Sequence, residues 1–193
     1  MIHKKRYKPQ IIACLMSLSG LVMATETLPE SELAVYRANV IELGETLKLE
    51  LLKALQAGGP LTALTVCNEQ APIKTMAISE KHELEVGRTS LKVRNPQNAP
   101  DDWEMKVLKT FEQRKANGED PTQLEFYEVI NNAGKKQVRY MKAIPVAPPC
   151  LTCHGTEITP EITAKLKVLY PKDQATGFKM GDLRGAFTLM KAY

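Results

Sequence analysis

Cys150-Leu151-Thr152-Cys153-His154 sets two thiols and an imidazole within five positions, and this spacing constrains the chain more than any other feature. In the C-x-x-C-H pattern the thiols add to the vinyl groups of a haem and the adjacent histidine becomes an axial iron ligand. A redox dithiol would need a thioredoxin-like strand-to-helix turn, and a zinc half-site would need a second ligand pair. The sequence offers neither context. The pattern occurs once, so one covalently attached haem c with its iron is expected. Pro145, Pro148 and Pro149 precede it and favour an extended approach that cannot slip into helix.

The N-terminus places the chain outside the cytoplasm. Lys4, Lys5, Arg6 and Lys8 are followed by an apolar stretch from Ile11 to Val22, with Val22 and Ala24 at the −3 and −1 positions of a cleavage site. Residues 1–24 therefore read as a secretory signal peptide and residues 25–193 as a single exported domain, periplasmic in location. The apolar stretch is too short and too interrupted to span lipid, so the mature chain is not expected to cross a membrane. The formal charge of +4 resides in those four basic residues; without them the 22 acids are balanced and no footprint for nucleic acid remains. Of the four cysteines, Cys67, Cys150 and Cys153 survive cleavage, an odd count for an oxidising compartment.

A six-coordinate haem needs a second axial ligand. The mature chain offers His82, Cys67 and the methionines at 76, 105, 141, 180 and 190. A methionine raises the potential and an anionic thiolate lowers it. His82 lies in a charged run, Ser79 to Glu85, and reads as a solvated surface side chain. Cys67 follows Leu61, Leu64 and Val66 on a helical segment opened by Pro60, which turns it inward with Leu64 and Ala71. Two readings stand for it: a small buried hydrophobe, or an iron ligand. An exposed unpaired thiol in an oxidising compartment is open to oxidation, which favours burial or metal binding.

Further segments carry a family resemblance. They are Val66-Cys67 with Ala71-Pro72; Val86 to Pro96 with Asn98-Ala99-Pro100, Trp103 and Glu104; Cys150 to Gly155; and Tyr170-Pro171 with Ala175-Thr176-Gly177, Gly181-Asp182 and Arg184-Gly185-Ala186. Together they resemble the PAS-like monohaem c-type cytochromes, a former domain-of-unknown-function family that also occurs as extracytoplasmic sensor modules. The resemblance covers essentially the whole mature chain. It implies a PAS-like fold and an iron held by His154 and by an axial cysteine at the position of Cys67.

The rest of the pattern is helices and antiparallel strands in separate runs, hence an α+β class: an antiparallel sheet flanked by helices, with a long N-terminal helix. That helix runs from about Glu30 to Gln56, with Leu33, Tyr36, Val40, Leu43, Leu47, Leu51 and Ala54 on one stripe. Thr27 to Glu30 can supply a capping box, and Gly58-Gly59-Pro60 ends the run. A second helical stretch carries Cys67, with Pro72 interrupting or restarting it. Leu84 to Val93 alternates like a strand, a helix spans about Pro100 to Lys115, and Phe126–Ile130 and Gln137–Ile144 form a hairpin leading into the C-x-x-C-H segment. A helix after Thr159-Pro160 and a strand from Gly185 to Tyr193 complete the order. Arg88, Lys92 and Arg94 fall on one face of the expected strand and can pair with haem propionates, or else form a solvated face. Trp103 is read as a core residue before a porphyrin-packing one.

The leading functional reading is an exported monohaem cytochrome acting in one-electron transfer or redox sensing with a separate redox partner protein. Two axial ligands leave no open iron site, which argues against catalysis. The alternatives are a CO or NO sensor in which the Cys67 bond breaks on reduction, and a peroxidase, which needs an open iron and an acid-base residue.

Overall fold

A computed structural model describes residues 26–132 and 134–193. The expected signal peptide, residues 1–24, lies outside the described residues. Ten elements follow one another, and the α+β class is borne out. A long helix, α1 (Glu30–His82), precedes β1 (Glu85–Thr89), α2 (Asp102–Ala116), the hairpin β2 (Glu125–Asn132) and β3 (Lys135–Pro145), the short α3 (Leu151–His154), α4 (Pro160–Leu169) and β4 (Leu183–Ala192). Single 3-10 turns occupy Pro96–Asn98 and Pro148–Cys150.

α1 is two arms. Gly58 (φ −163°, ψ 22°) and Gly59 (φ 70°, ψ −164°) leave helical torsions, and only glycine adopts the second pair without strain. The second arm returns alongside the first, since Glu42 meets Lys81 at 2.7 Å and His82 at 2.8 Å while Glu50 reaches Lys74 at 3.9 Å. The first arm buries Leu33, Tyr36, Val40, Leu43 and Ala54, as the 3.6-residue period requires, with Leu47 and Leu51 half-buried.

Two expectations about α1 are corrected. No capping box forms at its start: Pro29 is the N-cap, and its carbonyl alone accepts from Glu32 and Leu33. The helix also neither stops nor restarts at Pro72. It keeps helical torsions there because Pro72 is exposed, where water can serve the carbonyl its ring leaves undonated.

The sheet order is β1-β4-β3-β2 with every neighbour antiparallel. β3 and β4 are central and therefore apolar on both faces. Val86, Val138, Tyr140 and Leu189 pack beneath the first arm of α1, whereas Met141, Ala143, Leu183 and Ala186 pack beneath Val107, Leu108 and Phe111 of α2. The period of two that separates Tyr140 from Met141 decides which helix each supports. α2 starts on a complete capping box, Asp101 accepting from the Glu104 amide while Glu104 accepts from the Asp101 amide.

β1 ends at Thr89, four residues before the expected Val93. The Ser90 hydroxyl donates to the Arg184 carbonyl at 2.7 Å and accepts from the Lys92 amide, which turns the chain off the sheet. Lys92 and Arg94 thus lie in the connecting loop and share no strand face with Arg88. Among the described residues, no helix is long and apolar enough to cross a membrane.

Candidate functional site

The C-x-x-C-H segment folds as one 3-10 turn running into one α-helical turn. The expected extended approach holds only as far as Pro145, at the end of β3, and Ala147; Pro148 and Pro149 instead open the 3-10 turn, where their fixed φ suits the first helical positions, and the Cys150 amide donates to the Ala147 carbonyl. Its two thiols meet different apolar groups. Cys150 packs with Val146, Ala175 and Phe178, and Cys153 with Leu64, Ile162 and Leu166. Leu64 belongs to the returning arm of α1 and precedes Cys67 by one turn, so the Cys67 face of that arm meets the Cys153 side of the segment. Leu64 and Ala71 are buried as expected, and Cys67 itself is half-buried. All three described cysteines are free thiols.

His154 is held by the loop that follows α4. Its Nδ1 lies 2.7 Å from the Ala175 carbonyl, which can only accept, so the proton sits on Nδ1 and the Nε2 lone pair is left to face the site. The backbone on both sides is fixed too: Gly177 and Phe178 donate their amides to the carbonyls of Gly155 and His154. The Phe178 ring stands edge-on to the imidazole with centroids 6.2 Å apart. Burial, with the positive charges of Arg184 and Arg94 beside it, pushes the His154 pKa down to about 2, so the ring is a neutral donor at any ordinary pH.

Two guanidiniums face that nitrogen. Arg94 Nη1 and Arg184 Nε each lie 3.4 Å from His154 Nε2. Arg94 is further tied to Asp173 at 3.0 Å and donates to the carbonyls of Cys153 and Ala175 at 2.6 and 3.2 Å. Arg88, on the sheet face that carries Val86, adds a third positive charge that bears on Cys67, His154 and Arg184. Burial holds the Cys67 thiol above its ordinary pKa, and the charges of Arg88 and Arg94 offset only part of that rise.

Cys150, Cys153, His154 and Cys67 are therefore gathered between the returning arm of α1, the end of the sheet and α4. Other candidates lie elsewhere. His82 pairs with Glu42, as befits a surface residue, and Trp103 donates to Glu128 at 2.6 Å beneath the Arg139 guanidinium. Lys92 donates to the Thr176 carbonyl at the rim. Sequence reasoning missed Arg184 as a site residue. Its signals were its place in the Arg184-Gly185-Ala186 segment of the resemblance and the glycine beside it: a Cβ at Gly185 would stand 2.2 Å from the Thr89 carbonyl oxygen, which marks the tight approach of β4 to the end of β1.

The donor set suits an iron already held in a porphyrin. It consists of one oriented imidazole and sulfur, with apolar walls from Leu64, Ile162, Leu166, Val146 and Phe178 and cations at one side. Among the described residues no three His, Cys, Asp or Glu side chains are grouped to hold a bare metal ion.

The profile of the Tll0287-like family matches residues 17–191. The chain belongs to the Tll0287-like family. A solved structure described as the crystal structure of the cyanobacterial heme-protein Tll0287 is similar to it, with 24% identity and a TM-score of 0.60 over 86% of this chain and 96% of that one. At that identity the likeness supports the fold. No curated protein matches the sequence.

Proposed function

We propose that this member of the Tll0287-like family is an exported monohaem c-type cytochrome that works in one-electron transfer or redox sensing with a separate redox partner protein. The observation that carries the reading is His154: within C-x-x-C-H, its Nδ1 proton is committed to Ala175 and its Nε2 faces Arg94 and Arg184 beside the cysteines. The haem-protein description of the similar solved structure supports it, and the basic, apolar and then small-residue N-terminus supports export to the periplasm.

In this reading Cys150 and Cys153 would hold the haem by addition of their thiols to its vinyl groups, and His154 and Cys67 would ligate its iron. A bound haem c supplies an iron that accepts and returns one electron. The residues of this chain do the remaining work. Ala175 fixes the imidazole tautomer and its angle, as the outer partners of metal-binding histidines do. Arg88 and Arg94 lessen, without overcoming, the preference for the neutral thiol that burial gives Cys67. Leu64, Ile162, Leu166 and Phe178 keep water away from the ligands. With both axial positions filled by the protein, no substrate site remains on the iron, so the protein is not read as an enzyme.

The test is made on the secreted protein matured in a host that assembles c-type cytochromes. Intact mass should show one added haem, and ferric electron paramagnetic resonance should give a low-spin thiolate signature that Cys67→Ala abolishes. An unmodified mass sinks the haem c reading, and a thiolate signature that survives the substitution removes Cys67 from the iron.

A second reading, a haem-based CO or NO sensor, draws support from the burial of Cys67, which favours the neutral thiol and hence a weaker ligand once the iron is reduced. It requires that reduced protein change its visible spectrum on addition of CO. Indifference to CO across accessible pH ends it.

A further inference from the structure

We infer that Arg88, Arg94 and Arg184 form the receptor for the two propionate carboxylates of the haem. The inference rests on the haem reading above and extends it to the one side of the site where the protein presents charge in place of apolar walls.

Arg94 and Arg184 meet at His154 Nε2, each 3.4 Å away; half-buried Arg88 is the next cation, on the end of β1, and one carboxylate, Asp173, answers them. Arg94 uses that carboxylate and two backbone carbonyls, and only a tenth of its side chain is exposed. Arg184 donates to the Lys92 carbonyl at 3.3 Å, lies 3.4 Å from His154 Nε2 and stands 5.4 Å from the Phe178 ring centroid, with no carboxylate bonded to it among the described residues. Arg88 has no carboxylate partner among the described residues; the acidic groups that bear on it are the Cys67 thiol and the Tyr170 phenol. Two positive charges in this half-buried cluster are thus unmatched by protein acids.

Cations withdrawn from water without an opposite charge are costly, and a guanidinium fork matches a carboxylate better than any other common anion. A porphyrin of the kind joined by C-x-x-C-H carries two carboxylates. An iron held at His154 Nε2 would displace the contacts that Arg94 Nη1 and Arg184 Nε now make with that nitrogen; Arg184 would then be free to bind those acids, and Arg94 would offer Nη1 while its Nε and Nη2 stay with Asp173 and the Cys153 and Ala175 carbonyls. Lys92, which the sequence grouped with Arg88 and Arg94, drops out: its ammonium is exposed, bonded to the Thr176 carbonyl and placed 4.9 Å from the Phe178 ring centroid. Arg184 takes its place, brought in by β4.

The experiment uses holoprotein carrying Arg88→Gln or Arg184→Gln, matured as above, and reads two quantities. The first is the propionate bending mode in the resonance Raman spectrum, which should move to lower wavenumber when a guanidinium partner is lost. The second is the ferric-to-ferrous ratio at fixed potential. It should rise at least threefold in each variant, equivalent to a midpoint about 30 mV lower at ~59 mV per tenfold for one electron.

Arg184→Lys and Arg88→Lys serve where a glutamine variant fails to accumulate: with the charge retained and the fork lost, the propionate mode should move while the ratio changes less than twofold. Haem attached and ligated as in wild type, with the propionate mode unmoved in the variants, overturns this inference while leaving the proposed function standing, even if the potential falls. Wild-type protein with no attached haem overturns both.

Discussion

At the scale of single residues, the site depends on small side chains as much as on ligands. Gly185 has φ +156°, and a Cβ there would stand 2.2 Å from the Thr89 carbonyl oxygen and 2.9 Å from the Ser90 Cβ. Both contacts involve atoms close to the backbone, and neither can be relieved by a rotamer change. Gly185→Ala should therefore cost about 2–4 kcal/mol, read as a lower denaturant midpoint. Because Ser90 is also the residue that bonds the Arg184 carbonyl, the same variant should alter the midpoint potential of the holoprotein. The C-x-x-C-H candidates needed no structure to find, since the pattern is written in consecutive positions. Arg184 is 30 positions from His154, and only the strand pairing that brings Thr89 opposite Ala186 shows why it belongs to the same site.

At the scale of elements, an ion pair couples the first helix to the sheet. Arg37 of α1 meets Glu125 of β2, and the Tyr140 hydroxyl of β3 donates to the same carboxylate at 2.8 Å. The Arg37 guanidinium holds the Glu125 carboxyl below its ordinary value; burial works against this and the Tyr140 bond reinforces it. A carboxyl whose folded pKa lies below the unfolded one stabilises the fold above the unfolded value, about 4.3, and loses that contribution as pH falls through the folded value. Urea midpoints should consequently fall more steeply below about pH 4.5 in wild type than in Glu125→Gln. The variant should be the less stable of the two at pH 7.

The elements most readily read from the sequence are those whose ends are set locally. α2 has its acidic cap within four residues, and β2 and β3 pair from Glu125 with Lys142 to Asn132 with Lys135, close to each other in sequence. The end of β1 was misplaced because the bond that turns the chain there joins Ser90 to Arg184, a partner 94 positions away. Pro72 misled for a related reason: whether a proline breaks a helix depends on whether water can serve the carbonyl it leaves free, and that depends on exposure.

At the scale of the whole molecule, the proposed iron bonds would join the returning arm of α1 to α3 across 86 intervening residues. Such a link restricts the unfolded chain as other cross-links do. Holoprotein carrying Cys67→Ala, with its haem still attached through Cys150 and Cys153, should melt at least about 5 °C below wild type in a thermal scan. An unchanged Tm would mean that sulfur adds nothing to the hold between helix and motif.

The glycine pair at 58 and 59 gives this link a direction. It allows one continuous stretch of helix to double back, so that the sulfur rides on an arm braced at Glu50–Lys74 and again at Glu42 with Lys81 and His82. A braced lever does not bend in its middle. On the proposed ligation, a bond to Cys67 that loosens on reduction should be read as a difference in amide exchange around residues 56–62 between ferric and reduced protein.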